Sequence, residues 1–340
     1  MPRNGVIVLG MHRSGTSAVT SVLNAMGLGV GAADELTASS WENPNGFFER
    51  RDLRRICDAL LWGTDADWWR VSDFSVAAIP ASVRAENEAA IRALGQRLDA
   101  IRPWVIKEPR LCLLLPVFEP LVRQTVIVQP VRHPLEVARS LQRRNGIPLC
   151  AGIALWERYN RAALEHSRHC PRVSVDYARL VTEPETECAR IADELHARGI
   201  GPLDVAAGVQ RIEPALHRER AEGNDACDFI GKPQAAVWRA VADNEPASIA
   251  DECGATVLDV LRTFEHERAR IHATAQGSGE PPATDAPDQQ PPVDSRGEVE
   301  ALCRELERER AFSRALQGSR SWRLTAPVRA CGKWLRRLRQ

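Results

Sequence analysis

The chain has 340 residues, and its 45 Lys and Arg balance its 45 Asp and Glu. That length supports one large core, and the even charge excludes a global attraction to nucleic acid or another polyanion. Its nine cysteines stand singly with no C-x-x-C pair, so neither a zinc site nor a disulfide framework is expected, and the thiols read as reduced.

The first segment is Gly5-Val-Ile-Val-Leu-Gly-Met-His-Arg-Ser-Gly-Thr-Ser17. Val6 to Leu9 reads as a buried strand, and Ala18, Val19, Val22, Leu23 and Met26 then recur at helical spacing. A strand, a tight glycine loop and a helix N-terminus form an anion site, because free N–H groups and the helix dipole point into the loop. The spacing Gly10-x-x-x-x-Gly15 matches a P-loop, yet Thr16 stands where a nucleotide triphosphatase has lysine. The fixed positive charge has moved to Arg13. His12 sits in the same loop with a reference pKa near neutrality.

Next comes Trp41-Glu-Asn-Pro-Asn-Gly-Phe-Phe-Glu49. Glu49 reads either as a functional carboxylate or as a helix-starting partner of Arg50 or Arg54. Trp41, Trp62, Trp68 and Trp69 follow the loop; aromatic faces stack on sugars but also fill cores. Trp104-Val-Ile-Lys107 is a strand that ends in charge, with Glu108 and Arg110 beyond it. Thr125 to Arg132 is another, followed by His133 and by Pro134 at a helix start. Arg132 at that strand end and Ser140 on the helix can converge on one phosphate, with a planar donor fork and a hydroxyl. Arg172 to Asp176 is the fourth strand. Strands alternating with helices predict an α/β fold with a central parallel sheet. Its ligand belongs at the carboxyl ends of the strands, where Arg13, Lys107 and Arg132 fall.

Beyond residue 276 the composition turns to Gly, Pro, Asp and Gln. Residues 276–297 are expected to be a disordered linker after a domain spanning 1–275. Residues 298–317 read as a charged helix. Residues 318–340 read as a basic amphipathic tail in which Trp322 and Trp334 lie among arginines, suited to an anionic membrane surface. No signal peptide or long apolar span is visible, which predicts a cytoplasmic protein, peripheral at most to the inner membrane face. The Ala- and Arg-rich composition is compatible with a bacterial source.

The run Arg13-Ser14-Gly15-Thr16-Ser17 resembles the phosphosulfate loop of sulfotransferases that use 3′-phosphoadenosine 5′-phosphosulfate (PAPS). The resemblance implies a P-loop-like three-layer sandwich and transfer of a sulfuryl group from PAPS. It assigns the 5′-phosphate to Arg13, Ser14, Gly15, Thr16 and Ser17, and the 3′-phosphate to Arg132 and Ser140. Related bacterial sulfotransferases carry a segment similar to that before Glu49 on the acceptor side, which makes Glu49 the first candidate base, with His12 and Glu108 after it. Lys107 either helps hold the sulfuryl group or pairs with a carboxylate. No metal is expected. The acceptor is expected to be a carbohydrate or glycolipid hydroxyl. The alternatives are a P-loop kinase or nucleotide triphosphatase and a non-catalytic, membrane-associated scaffold.

Overall fold

The computed structural model describes residues 5–37, 48–212, 231–245 and 254–277, with side chains of the last segment through 271. All of them belong to one compact unit, Met1–Gln290. The sequence-predicted charged helix and basic tail, and nearly all of the linker, lie outside the described residues.

Four strands form the sheet: β1 (Gly5–Val8), β2 (Trp104–Lys107), β3 (Thr125–Val131) and β4 (Arg172–Asp176). They are parallel and ordered β2-β1-β3-β4. Gly5 stands opposite Trp104 on one side and Thr125 on the other. The expected strand Val6–Leu9 begins one residue earlier, and Leu9 still donates to the Val128 carbonyl at 3.0 Å.

Parallel strands need long crossovers, and helices fill them. In chain order these are α1 (Thr16–Ala25), α2 (Arg51–Trp62), α3 (Ala81–Asp99), α4 (Leu111–Leu114), α5 (Glu119–Val122), α6 (Pro134–Asn145), α7 (Leu149–His166), α8 (Tyr177–Thr182), α9 (Pro184–Ala197) and α10 (Val205–Gln210). Two more, Lys232–Ala242 and Ala255–Gly277, follow. Pro134 and Pro184 open their helices as expected, since a first-turn residue needs no N–H.

The strands are buried on both faces, so they read as continuous apolar runs. Val6, Val8, Val105, Val126, Val128 and Val173 pack with Val22 of α1 and Ile191 of α9. The alternate positions face the other way. There Gln129 donates to Asn160 of α7 at 2.9 Å, both side chains buried. Each such buried aliphatic side chain contributes about 1.5–3 kcal/mol.

The strand order fixes where a ligand can enter. The chain leaves β1 for β2 on one side, then returns to place β3 on the other. The crevice outside the carboxyl ends of β1 and β3 is therefore the topological switch point.

The expectation of reduced thiols throughout needs correction. Cys57, Cys112, Cys170 and Cys188 are free, but Cys150 is disulfide-bonded. Among the described residues no helix is long and apolar enough to cross a membrane, and no cluster of His, Cys, Asp and Glu is arranged for a metal.

Candidate active site

The loop after β1 turns through two left-handed residues, Arg13 at φ 70° and Gly15 at φ 89°. Arginine there is uncommon and strained, which marks a constrained loop. Gly15 is the N-cap of α1 and brings no side-chain cap, so the start of the helix points its N–H groups and dipole into the loop. Glycine is required on a second count. A Cβ at position 15 would lie 2.4 Å from Cδ2 of Tyr177, the residue just past β4. Thr16 is buried and Ser17 half-buried at the start of α1. The Ser14 hydroxyl is buried with no hydrogen-bond partner among the described residues. A buried polar atom left unpaired costs roughly 1–3 kcal/mol, which suits a site that takes its partner from a ligand.

The loop is tied to β3 and α6 by charge-assisted bonds. Arg13 Nε donates to Ser140 Oγ at 3.0 Å. Arg132 Nη1 donates to the Arg13 carbonyl at 2.9 Å, and its Nε donates to Glu136 Oε2 at 3.1 Å. The Arg132 guanidinium also lies over the Tyr177 ring, 4.8 Å from its centre. Arg13, Arg132 and Ser140, predicted as parts of two anion sites, thus form one connected group across the switch point. Tyr177 and Glu136 were missed in the sequence. Glu136 could have been found from its i,i+4 spacing to Arg132, and Tyr177 from its place just beyond a strand end.

A second group lies past β2. Lys107 Nζ donates to Glu49 Oε1 at 2.6 Å, and both are buried. Arg50 and Arg54, the expected partners of Glu49, are instead held by Glu35 and Asp52 and by Asp58. Glu108 is fully buried and accepts from Arg110 at 2.7 Å, while Arg110 Nε lies 3.1 Å from Asp58. Burial pushes the Glu49 carboxyl up, but Lys107, with Arg110 and Arg54 beyond it, outweighs this and holds it below the usual carboxylate range. Burial dominates at Glu108 and raises it despite Arg110. Trp41 lies outside the described residues.

His12 joins the two groups. Its ring stands 4.9 Å from Trp68 and 6.2 Å from Tyr159. Burial, then the charges of Arg110, Lys107, Arg144 and Arg54, hold its pKa well below the ordinary value, so the ring is neutral near pH 7. Its Nε2 is inaccessible and has no hydrogen-bond partner among the described residues. His133, by contrast, caps α6 through Nδ1 and packs on Trp238, a structural role. Of the other tryptophans, Trp69 packs on Phe264 and Trp62 stands 65% exposed at the end of α2.

The sulfotransferase family profile matches residues 5–198. No curated protein matches the chain. Among solved structures, the sulfotransferase domain from the curacin biosynthetic pathway is 16% identical, covering 78% of this chain and 98% of its own, with a TM-score of 0.40. The sulfotransferase domain of the Synechococcus PCC 7002 olefin synthase is 21% identical, covering 78% and 95%, with a TM-score of 0.36. Sulfotransferase STF9 from Mycobacterium avium is 17% identical, covering 72% and 76%, with a TM-score of 0.41. The profile spans more than half of the 340 residues and includes the loop, Lys107, Arg132 and Ser140, and the chain belongs to the sulfotransferase family.

Proposed function

We propose that this sulfotransferase takes its sulfuryl group from PAPS and places it on a hydroxyl of a carbohydrate or glycolipid. The observation that carries the donor assignment is the Arg13–Ser140–Arg132 group across the β1/β3 crevice, beside the uncapped start of α1. A donor with a phosphate at each end of its ribose needs two anion positions close together, and two arginines in one crevice support that reading. The fit includes the Ser14 hydroxyl, which is buried and lacks a partner among the described residues. The Trp68 ring beside His12 supports a sugar acceptor, since sugars stack on aromatic faces.

In the transfer the acceptor oxygen forms a bond to sulfur while the bond from sulfur to the 5′-phosphate breaks. The electron pair leaves with the phosphate, and the acceptor proton passes to a base. The loop N–H groups and Arg13 offset the charge that builds on the leaving oxygen. In this reading Glu49, ionised against Lys107, takes the proton. In the same reading Lys107 holds the sulfuryl oxygens.

Calorimetry with 3′,5′-adenosine bisphosphate in the presence of a chelator tests the donor site. Binding is expected there, with none for ATP and magnesium. The reverse preference would overturn the donor assignment. Transfer of labelled sulfate from PAPS to a panel of glycosides then tests the acceptor, and labelling of phenols alone would refute the carbohydrate reading.

A further inference from the structure

The family match ends at residue 198, yet a helix far beyond it reaches back to the site. Glu265 on the helix Ala255–Gly277 accepts three hydrogen bonds from the segment after α2: from Val71 N at 2.8 Å, Ser72 N at 2.9 Å and Ser72 Oγ at 2.6 Å. Val71 and Ser72 are both buried, so these donors have little recourse to water. Two successive backbone N–H groups on one carboxylate oxygen make a small anion nest. The same helix grips the segment again through Phe264 against Trp69 and Arg262 to Asp73. From the other side α7 holds it, with the Tyr159 hydroxyl on the Trp68 carbonyl at 2.6 Å and Arg158 on the Phe74 carbonyl at 2.6 Å.

What the segment carries gives the clamp its meaning. Trp68 is the ring that stands against His12. A loop of this kind has few backbone bonds of its own, and such loops sit at the low end of local stability unless another element secures them. We infer that Glu265 is a positioning residue: by fixing the backbone at Val71 and Ser72, it holds Trp68 against His12 and so shapes the acceptor wall from outside the span the family profile matches. That the wall faces the acceptor rests on the function proposed above; that Glu265 holds it does not.

Carbethoxylation of histidine by diethyl pyrocarbonate, read residue by residue by mass spectrometry on the full chain, tests this directly. His169 is exposed and serves as the internal reference. In Glu265→Ala, His12 should react roughly tenfold faster relative to His169, because the wall opens more often. Glu265→Gln keeps an acceptor oxygen and should fall between wild type and Glu265→Ala. Affinity for 3′,5′-adenosine bisphosphate and the melting temperature of Glu265→Gln should stay near wild type, which separates positioning from general loosening. If Glu265→Ala does not fold, Ser72→Ala removes one of the same bonds and should give a smaller increase. Unchanged His12 labelling in Glu265→Gln and in whichever of the other variants folds would overturn the proposal. Failure of the wild-type chain to bind the bisphosphate would sink the donor reading alone, since the labelling still reports on Glu265.

Discussion

The two sides of this site are wired differently. Past β2, cations meet carboxylates: Lys107 meets Glu49, and Arg110 meets Glu108 and Asp58. Past β1 and β3, Arg13 and Arg132 are braced through a hydroxyl, a backbone carbonyl and one carboxylate, Glu136. The first arrangement balances its charge within the protein. The second adds a hydroxyl and a backbone carbonyl to its one carboxylate, so its two arginines are oriented largely by dipoles at the crevice. The difference teaches that removing a cation on the β2 side should damage the protein itself, while removing one on the β1/β3 side should chiefly damage what it binds.

The largest effects are expected on the β2 side. Glu49→Gln keeps the shape and removes the proton acceptor, so transfer should fall by about 10²–10⁴ while the bisphosphate still binds. Full activity in Glu49→Gln would move the base to His12 or Glu108. Lys107→Ala leaves the Glu49 carboxylate buried without its partner, which should cost about 3–5 kcal/mol in urea unfolding. Replacing both partners with apolar residues of similar volume should recover much of that loss. A Lys107→Ala chain as stable as wild type would erase the contrast between the two sides.

On the β1/β3 side the losses should appear in ligand and rate. Arg13→Ala should lower turnover by roughly 10²–10³, as for removal of one donor to a developing oxyanion. A rise in KM alone would place Arg13 with Ser140 on the ground-state phosphate instead. Arg132→Ala should weaken bisphosphate binding by about 2–4 kcal/mol in calorimetry. Unchanged affinity would remove Arg132 from the donor site. Arg13→Ala should unfold near the wild-type midpoint, in contrast to Lys107→Ala, whereas Arg132→Ala also removes a partner of the buried Glu136 and should lose some stability.

This asymmetry was only half visible in the sequence. The strands were legible because a parallel sheet buries both faces and writes long apolar runs, and the loop was legible because glycine spacing and Arg13 are local. Arg132 and Ser140 could be read because a strand end and the helix after it are neighbours in the chain. The Lys107–Glu49 pair joins positions 58 residues apart, and nothing local chooses Lys107 over Arg50 or Arg54. The Tyr177 ring against Gly15 and the Glu265 clamp are likewise products of chain return. Sequence reasoning found groups carried by one element and missed those that two distant elements make together.

His12 gives the smallest and sharpest test, because it stands between the two sides. Its folded pKa lies well below the ordinary 6.5, through burial first and then neighbouring cations. The proton therefore prefers the unfolded chain. The stability tied to neutral His12 is whole above about pH 6.5 and is lost as pH falls through the folded value, by up to about 1.4 kcal/mol per pH unit for one group. Glu49 works in a lower window: its depressed pKa gives stability present above 4.5 and lost as pH falls below it. His133 and His166 are also lowered by burial and add to the upper window. His12→Gln should thus flatten, without abolishing, the decline in urea midpoint between neutral pH and about pH 5. It should leave the steeper loss at lower pH, where Glu49 titrates, in place. An unaltered slope in His12→Gln would mean that His133 and His166 carry the whole effect and that the cations around His12 do not act on it in solution.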